Sequence, residues 1–383
     1  MRICLVYDCL YPHTVGGAER WYRNLALRLA ADGHEVTYLT LRQWEPGDEP
    51  DLPGVRVIAV GPKLELYARG RRRIGPPIVF GLGVLRQLAA YGSRYDVVHT
   101  ASFPYFSLLA AGLVRRRRGF RLVVDWHEVW SDAYWREYLG VAGAAGIWIQ
   151  RLCFRLRQEA FCFSRLYAER LERAGINGPV TVLRGQYEGS PGPPELAPPQ
   201  PILVYAGRHI PEKRVTAIVP AFVEARKRAH QLRVVIYGDG PDRAAVVAQI
   251  GGAGLDGAVE APGFVEQAVV EEALSHALCL LLPSRREGYG LVVVEAIARG
   301  TPAVVVAGPD NAAVEFIEEG VNGFVAASAS PADLADSILR VYRAGPGLRE
   351  STADWFSRNS ASLSLAGSLD AVSRAYGSKR TVH

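Results

Sequence analysis

Cysteine is scarce and badly placed for a disulfide frame or a zinc site. The five residues, Cys4, Cys9, Cys153, Cys162 and Cys279, are odd in number, scattered, and set mostly in apolar runs. That pattern reads as reduced core thiols. No run of about 18 uncharged apolar residues occurs, which excludes a membrane-spanning helix. No basic-then-apolar leader opens the chain, because Met1-Arg2-Ile3 runs straight into a strand. A cytoplasmic protein is the expectation. No dinucleotide fingerprint follows a strand, which counts against a two-domain dehydrogenase. No convincing acidic pair of the DxD kind follows one either, since Asp239 in "YGDGP" stands single. Neither an essential Mg²⁺ nor any other metal or cofactor is therefore expected.

What is present suffices for two domains. The chain has 383 residues, of which 49% are apolar, enough to fill two cores. Its 22% of charged residues is ordinary and argues against wholesale disorder. The charge is shared unevenly. Residues 1–190 hold about 26 basic and 18 acidic side chains, and the remainder about 18 and 21. The first half, at about +8, is suited to an anionic partner. Arg69 to Arg73 and Arg115 to Arg118 are its densest basic runs, for which the plainer reading is a solvated face.

Strands and helices alternate along the chain. Arg2–Asp8 reads as a strand, and Ala18–Ala31 as a helix with Trp21, Leu25 and Leu29 on one face, closed by Gly33. Glu35–Thr40, Val55–Gly61, Asp96–Thr100, Arg121–Trp126 and Val180–Arg184 read as strands. Helical patterns fall near 78–92, 103–114 and 143–173. Gly189–Pro201, "GSPGPPELAPPQP", contains too much proline for a helix or a central strand. A second alternation follows, with strands at Ile202–Gly207, Leu232–Tyr237, Ala258–Gly263, Leu278–Pro283 and Ala303–Ala307. Helices are expected at Val215–Ala229 and near 241–251, 266–277 and 312–319. The expectation is an α/β protein of two doubly wound parallel-sheet domains facing across a cleft. Its first domain would be 1–188, its linker 189–201 and its second domain 202–355. The stretch 356–383 would be a helix packing back on the first domain.

"PSRREGYGLVVVEAIARGTP", from Pro283 to Pro302, places Glu287 and Glu295 eight positions apart. Between them Gly288, Tyr289 and Gly290 form a turn, and a helix starts near Gly290, with Leu291 and Val292 in its first turn. A helix start offers unpaired N–H groups and partial positive charge, and a glycine there lets a phosphate come close. Glu295 lies on the order of 7 Å further along the axis. A diphosphate at the helix start would leave its sugar to one glutamate and its ribose to the other. The plainer reading is a capping Glu287 and a surface Glu295. Against it, Glu295 sits among Val292, Val293, Val294, Ala296 and Ile297, and a carboxylate in such company needs a partner.

In "YAGRHIPEKR", Arg208 and Lys213 follow the first strand of the second domain, where two cations can neutralise a leaving diphosphate without a metal. In "GGAER", Gly16 and Gly17 precede the first helix, a weak anion or sugar signal by itself. His127, in "VVDWHEVW", follows a strand at the same edge; a lone histidine there is structural or functional. Trp126, Trp130 and Trp135 are suited either to stacking on sugar faces or to packing.

These pieces, "GGAER", "AGRHIPEK" and the glutamate pair with seven residues between, resemble the family 4 retaining glycosyltransferases of the GT-B fold over nearly the whole chain. The resemblance implies a nucleotide-sugar donor held mainly by the second domain and an acceptor bound by the first, 1–188. Glu287 would then contact the donor sugar and Glu295 the ribose. Arg208 and Lys213 would stabilise the leaving diphosphate, and amides near Gly290, Leu291 and Val292 would bind its phosphate. Gly17 belongs to the glycine loop that closes on the donor, and His127 touches the sugar near the reacting carbon. Gly263, Phe264 and Val265 fall where the base is read by backbone groups. "LRGQYEG", Leu183–Gly189, departs from the family's usual Pro-Asn-Gly-Val-Asp and puts the local hinge contacts in question.

The resemblance implies retention of the sugar's configuration, and same-face attack is expected because no second well-placed acid is visible on the first-domain side. Expected acceptors are a glycan, a glycolipid or a lipid-linked sugar, with an anionic membrane surface as a further partner and nucleic acid as none. Apolar and basic stretches at Leu64–Arg73 and Ile78–Leu88 are suited to a bilayer surface. The rival readings are a sugar-nucleotide epimerase of the same plan and a catalytically silent sugar-nucleotide binding protein.

Overall fold

The computed structural model describes residues 1–68, 71–190, 192–255 and 257–377, and for 67, 68 and 71 only the backbone. Arg69 and the Arg71 side chain thus lie outside the described residues, and of that basic run only Arg72 and Arg73 are described throughout. The chain divides into two compact units, one of Met1–Arg184 with the chain from Ser368 onward, the other of Gly185–Gly367.

The first unit is a seven-stranded parallel sheet. Its strands are β1 (Arg2–Val6), β2 (Glu35–Leu41), β3 (Val55–Gly61), β4 (Val97–Ala101), β5 (Arg121–Trp126), β6 (Glu159–Cys162) and β7 (Val180–Val182). Their order is β3-β2-β1-β4-β5-β6-β7. Strands such as Ile3–Val6 and Val97–Ala101 are buried throughout, the mark of a sheet covered on both faces. Around it lie α1 (Gly17–Ala31), α2 (Gly75–Tyr91), α3 (Tyr105–Arg118), α4 (Asp132–Leu139), α5 (Gly143–Arg155) and α6 (Arg165–Arg173). Helix α1 buries Trp21, Tyr22, Leu25 and Leu29. Gly33 ends it at φ +82°, a conformation open to glycine. Arg115 to Arg118 occupy the last turn of α3, beside its negative end.

The single helical pattern expected over 143–173 is corrected. It is α5, then β6, then α6. "EAFC" is too short to show a period, and its buried Ala160, Phe161 and Cys162 look alike in a helix or a central strand.

The second unit is a six-stranded parallel sheet of β8 (Ile202–Ala206), β9 (Arg233–Tyr237), β10 (Val259–Gly263), β11 (Cys279–Leu282), β12 (Ala303–Val306) and β13 (Gly323–Ala326). The order is β10-β9-β8-β11-β12-β13. Its helices are α7 (Ile218–Arg226), α8 (Arg243–Gly252), α9 (Gln267–His276), α10 (Leu291–Ile297), α11 (Pro331–Ala344) and α12 (Pro346–Leu363). Val215–Ala217 and Ala312–Phe316, expected as α-helix, are 3₁₀ turns. Strand β13 and helix α11 escaped the sequence reading.

A last helix, α13 (Leu365–Gly377), returns to the first unit. Tyr376 Oη lies 2.5 Å from His99 Nδ1, Arg121 donates to the Tyr376 carbonyl at 2.8 Å, and Arg28 pairs with Asp370 at 2.7 Å. All five cysteines are free and buried, and burial pushes the Cys279 thiol up to about 12. Among the described residues no helix is long and apolar enough to cross a membrane.

Candidate active site

In each sheet the strand order reverses beside the first strand, between β1 and β4 and between β8 and β11. Loops leaving the carboxyl ends of such neighbours part there and open a crevice. In the second unit those loops carry Arg208, which follows β8, and Glu287, which follows β11.

Glu287 is built in from several sides. Arg286–Glu287 forms a two-residue parallel ladder with Asp310–Asn311. Asn311, fully buried, donates to the carbonyls of Ser284 at 3.1 Å and Val306 at 2.9 Å and accepts from the Ala313 amide at 3.1 Å. One amide thus ties together the loops after β11 and β12. The sequence reading missed it, because "PDN" looks like any turn. Lys213, in the 3₁₀ turn Pro211–Lys213, meets the carboxylate with Nζ 2.6 Å from Glu287 Oε1, the two side chains 19% and 9% exposed. Arg214 follows at φ +48°, the one non-glycine residue with positive φ among those described, a backbone strain of the kind found at functional loops.

Arg208 is exposed, and its carbonyl accepts a bond from Tyr205 Oη at 2.9 Å. Burial above all raises the Tyr205 phenol's pKa; Glu287 adds to the rise and Arg208 opposes it, so both charges act on one buried ring. His209 beside it is fully buried. Its N–H donates to the Asp239 carbonyl at 2.8 Å, its carbonyl accepts from the Asp242 amide at 3.0 Å, and burial lowers its imidazole's pKa.

Gly290 caps α10 at φ +95°, and a Cβ there would lie 2.6 Å from Ala313 Cβ. The amides of Leu291 and Val292, at the start of α10, have no intrahelical acceptor. At seven residues the helix is short, so its start offers these N–H groups rather than a long dipole. Tyr289 packs edge-on against Phe316, ring centres 4.8 Å apart, and fixes the turn that begins at Gly288. Glu295, on α10, is half-buried and close enough to Tyr187 to raise that phenol's pKa, an effect secondary to burial. Gly263 ends β10 at φ +94°, with Phe264 beside it 69% exposed and Val265 half-buried.

In the first unit Gly16 is the N-cap of α1. A Cβ on it would lie 2.5 Å from Glu19 Oε2, whereas one on Gly17 would meet nothing within 4 Å. His127 stacks flat on Phe163, centroids 4.7 Å apart. Its pKa is lowered by burial, against the pull of Asp125, so the ring is neutral near pH 7. Asp125 accepts from Trp21 Nε1 at 2.7 Å and has His99 Nε2 2.8 Å from its other oxygen. The acids that the sequence reading did not see on this side are Asp8, Glu19 and Asp125, all buried. Asp8 is ion-paired with Arg72, and Asp125 is held as described. Trp126 and Trp135 are buried core, which corrects their candidacy for sugar stacking; Trp130 is half-buried.

Among the described residues no group of three or more His, Cys, Asp or Glu is placed to hold a metal ion.

Two doubly wound parallel-sheet units with a basic pair, a buried glutamate and bare amides at one switch point define a glycosyltransferase of the GT-B class. Two family models cover most of the chain: Glycosyltransferase Family 4 over residues 15–185 and Glycosyl transferases group 1 over 190–355. The chain belongs to the family 4 glycosyltransferases. It is 33% identical to alpha-D-kanosaminyltransferase of Streptomyces kanamyceticus, over 40% of this chain and 39% of that protein. It is 28% identical to D-inositol 3-phosphate glycosyltransferase of Actinosynnema mirum, over 96% of this chain and 93% of that one. Its fold resembles that of Anabaena HepE in complex with UDP-glucose, with TM-score 0.70 and 16% identity, covering 99% of this chain and 100% of HepE.

Proposed function

We propose that the chain moves a sugar from a nucleoside-diphosphate sugar to an acceptor hydroxyl, with retention and without an essential metal. The observation that carries this is the Lys213–Glu287 pair, 2.6 Å apart, beside the bare amides at Gly290. Glu287 holds the donor sugar, Glu295 the ribose, and the amides of Leu291 and Val292 the diphosphate. Gly263, Phe264 and Val265 meet the base. HepE, alike in fold, is recorded with UDP-glucose, which supports a donor of this class.

Without donor, Lys213 spends its charge on Glu287. A bound diphosphate offers Lys213 a stronger anion, and Glu287 accepts from sugar hydroxyls. In the reaction the acceptor oxygen bonds to the anomeric carbon on the face from which the C–O bond to phosphate breaks. The acceptor proton passes to the departing phosphate oxygen. Lys213 and exposed Arg208 stabilise the charge that develops there, the part a metal plays elsewhere. From the first unit Gly16 and Gly17 close on the donor. His127, neutral, contributes a hydrogen bond rather than a charge to the sugar.

The acceptor is a glycan, glycolipid or lipid-linked hydroxyl. Exposed Ile78 and Leu82 on α2 and Leu113 on α3, ahead of Arg115 to Arg118, suit an anionic bilayer surface; failure to bind anionic vesicles at low salt removes that part of the reading.

Thermal-shift screening of UDP-, GDP-, TDP- and ADP-sugars in EDTA tests the donor assignment. A donor at a hundred times its Kd adds about 2.7 kcal/mol. No shift with any of them refutes the reading. Turnover of the donor with no acceptor present favours the epimerase.

A further inference from the structure

Arg115 to Arg118 read in sequence as a solvated face, but the fold divides the run. Arg117 is exposed. The stem of Arg118 lies against Gly92, where an added Cβ would sit 3.1 Å from the arginine's Cβ and Cγ. Arg115 and Arg116 instead line a cavity of about 250 Å³ with Gly119, Phe120 and Arg157. Arg157 is brought in from the turn between α5 and β6, 42 residues beyond Arg115. No acidic residue lines the cavity. Among the described residues the guanidinium groups of Arg116 and Arg157 have no hydrogen bond or ion pair within the protein.

The backbone around the cavity is fixed. Half-buried Arg115 donates from Nη1 to the Arg157 carbonyl at 2.7 Å, which ties the end of α3 to the turn after α5. Gly119 closes α3 at φ +79°, its N–H on the Arg115 carbonyl at 2.8 Å. The Arg157 turn is held from the other side. The Gln158 N–H donates to the Asn177 carbonyl at 2.9 Å, and Asn177 Nδ2 donates to the Arg155 carbonyl at 3.1 Å. Phe120, 2% exposed, adds an apolar wall. Gly119 and Phe120 precede β5, and Arg157 precedes β6. The cavity therefore lies at the amino ends of the strands, whereas this sheet's own switch-point crevice lies at the carboxyl ends.

We infer that this cavity is a binding site for a phosphate group, independent of the glycosyltransferase reading. Three like charges gather on a rigid rim with no carboxylate among them, and an anion between them relieves their repulsion. The carbonyls ending α3 amount to only about half a negative charge, which three guanidinium groups outweigh. A carboxylate would neutralise one of the three. A phosphate carries about −1.5 to −2 at pH 7 and offers three acceptor oxygens, which matches the forked donors of Arg116 and Arg157. Pockets for drug-sized ligands begin at about 300 Å³, so the space takes the phosphate group rather than a whole nucleotide sugar. The same group is carried by a small soluble anion or by a lipid head, and both meet the cavity through identical contacts.

Calorimetric titration of the full chain at constant ionic strength, with UDP present to fill the donor site, tests this. Inorganic phosphate and pyrophosphate are the free probes. Phosphatidylcholine vesicles with and without phosphatidate are the lipid ones. The wild type is compared with a double variant, Arg116→Ala with Arg157→Ala, and with Arg117→Ala, a neighbour of equal charge outside the cavity. All three side chains are exposed, and each variant is checked for an unchanged melting temperature. Wild type is expected to bind, with affinity about tenfold lower in the double variant, equivalent to about 1.4 kcal/mol, and unchanged in Arg117→Ala. Binding of the free anions assigns the site to a soluble phosphate, and binding of phosphatidate vesicles alone assigns it to a lipid head. No binding of any probe overturns the inference. So does binding that survives the double variant, or that Arg117→Ala weakens equally, since either marks a diffuse basic face.

Discussion

Replacing Lys213 by alanine separates charge stabilisation from simple binding. The substitution leaves Glu287, 7% exposed, without its cation at 2.6 Å. Removing one partner of a fully buried ion pair costs about 3–5 kcal/mol, and an exposed pair is worth under about 1. With side chains 19% and 9% exposed, the pair sits nearer the buried limit, so Lys213→Ala should cost about 2–3 kcal/mol. If the cost is the stranded charge, Glu287→Gln added to Lys213→Ala restores part of it. The double variant is then more stable than Lys213→Ala alone, as denaturant unfolding of the set reads out. In the proposed reaction Lys213 acts on charge that appears as the diphosphate leaves. Turnover should fall by about a hundredfold or more, near 2.7 kcal/mol of barrier, while donor affinity falls by less than about tenfold. Equal losses in turnover and donor affinity would refute the stabilising role and leave Lys213 a binding residue.

Three further outcomes follow from the same geometry. Gly290→Ala forces a Cβ to 2.6 Å from Ala313 Cβ at φ +95°, so it should cost about 1–3 kcal/mol and abolish the donor-induced thermal shift; an unchanged shift contradicts the phosphate assignment. Asn311→Ala removes three buried hydrogen bonds, for about 2–4 kcal/mol, and should lower turnover through a displaced Glu287; unchanged stability and turnover contradict this. His127 and His209 have pKa values lowered by burial, so the unfolded chain takes up protons first as pH falls through about 6.5. Stability should therefore fall below that pH, and His127→Gln should flatten the decline between about pH 6.5 and 5; an unchanged slope sinks the neutral-imidazole assignment.

The loops of the proposed donor side were legible because their parts lie close in sequence. Glu287, Gly290 and Glu295 fall within one strand–turn–helix unit, and Arg208 and Lys213 within another. The fold is equally local, with strands such as Val55–Gly61 and Arg121–Trp126 found at their expected bounds. What stayed hidden depends on pairs distant in sequence. Asp8 and Arg72 are 64 residues apart, and Gln150 and Trp130 are 20; no local pattern announces either. Asn311 looks like a turn residue until β12 and β11 are laid side by side. Whether Trp126 and Trp135 meet sugars or pack stayed open, because a strand end and a helix face look alike in sequence whether they point to solvent or into a core. Trp126 faces Gln158 and Phe154, both supplied by later segments.

The most direct measurement is a crystal structure of the chain soaked with a nucleotide sugar that stabilises it. The account predicts the diphosphate on the amides of Leu291 and Val292, Lys213 turned from Glu287 toward it, and Glu287 and Glu295 on sugar and ribose hydroxyls. A diphosphate bound elsewhere, with the Lys213–Glu287 pair intact, would contradict it.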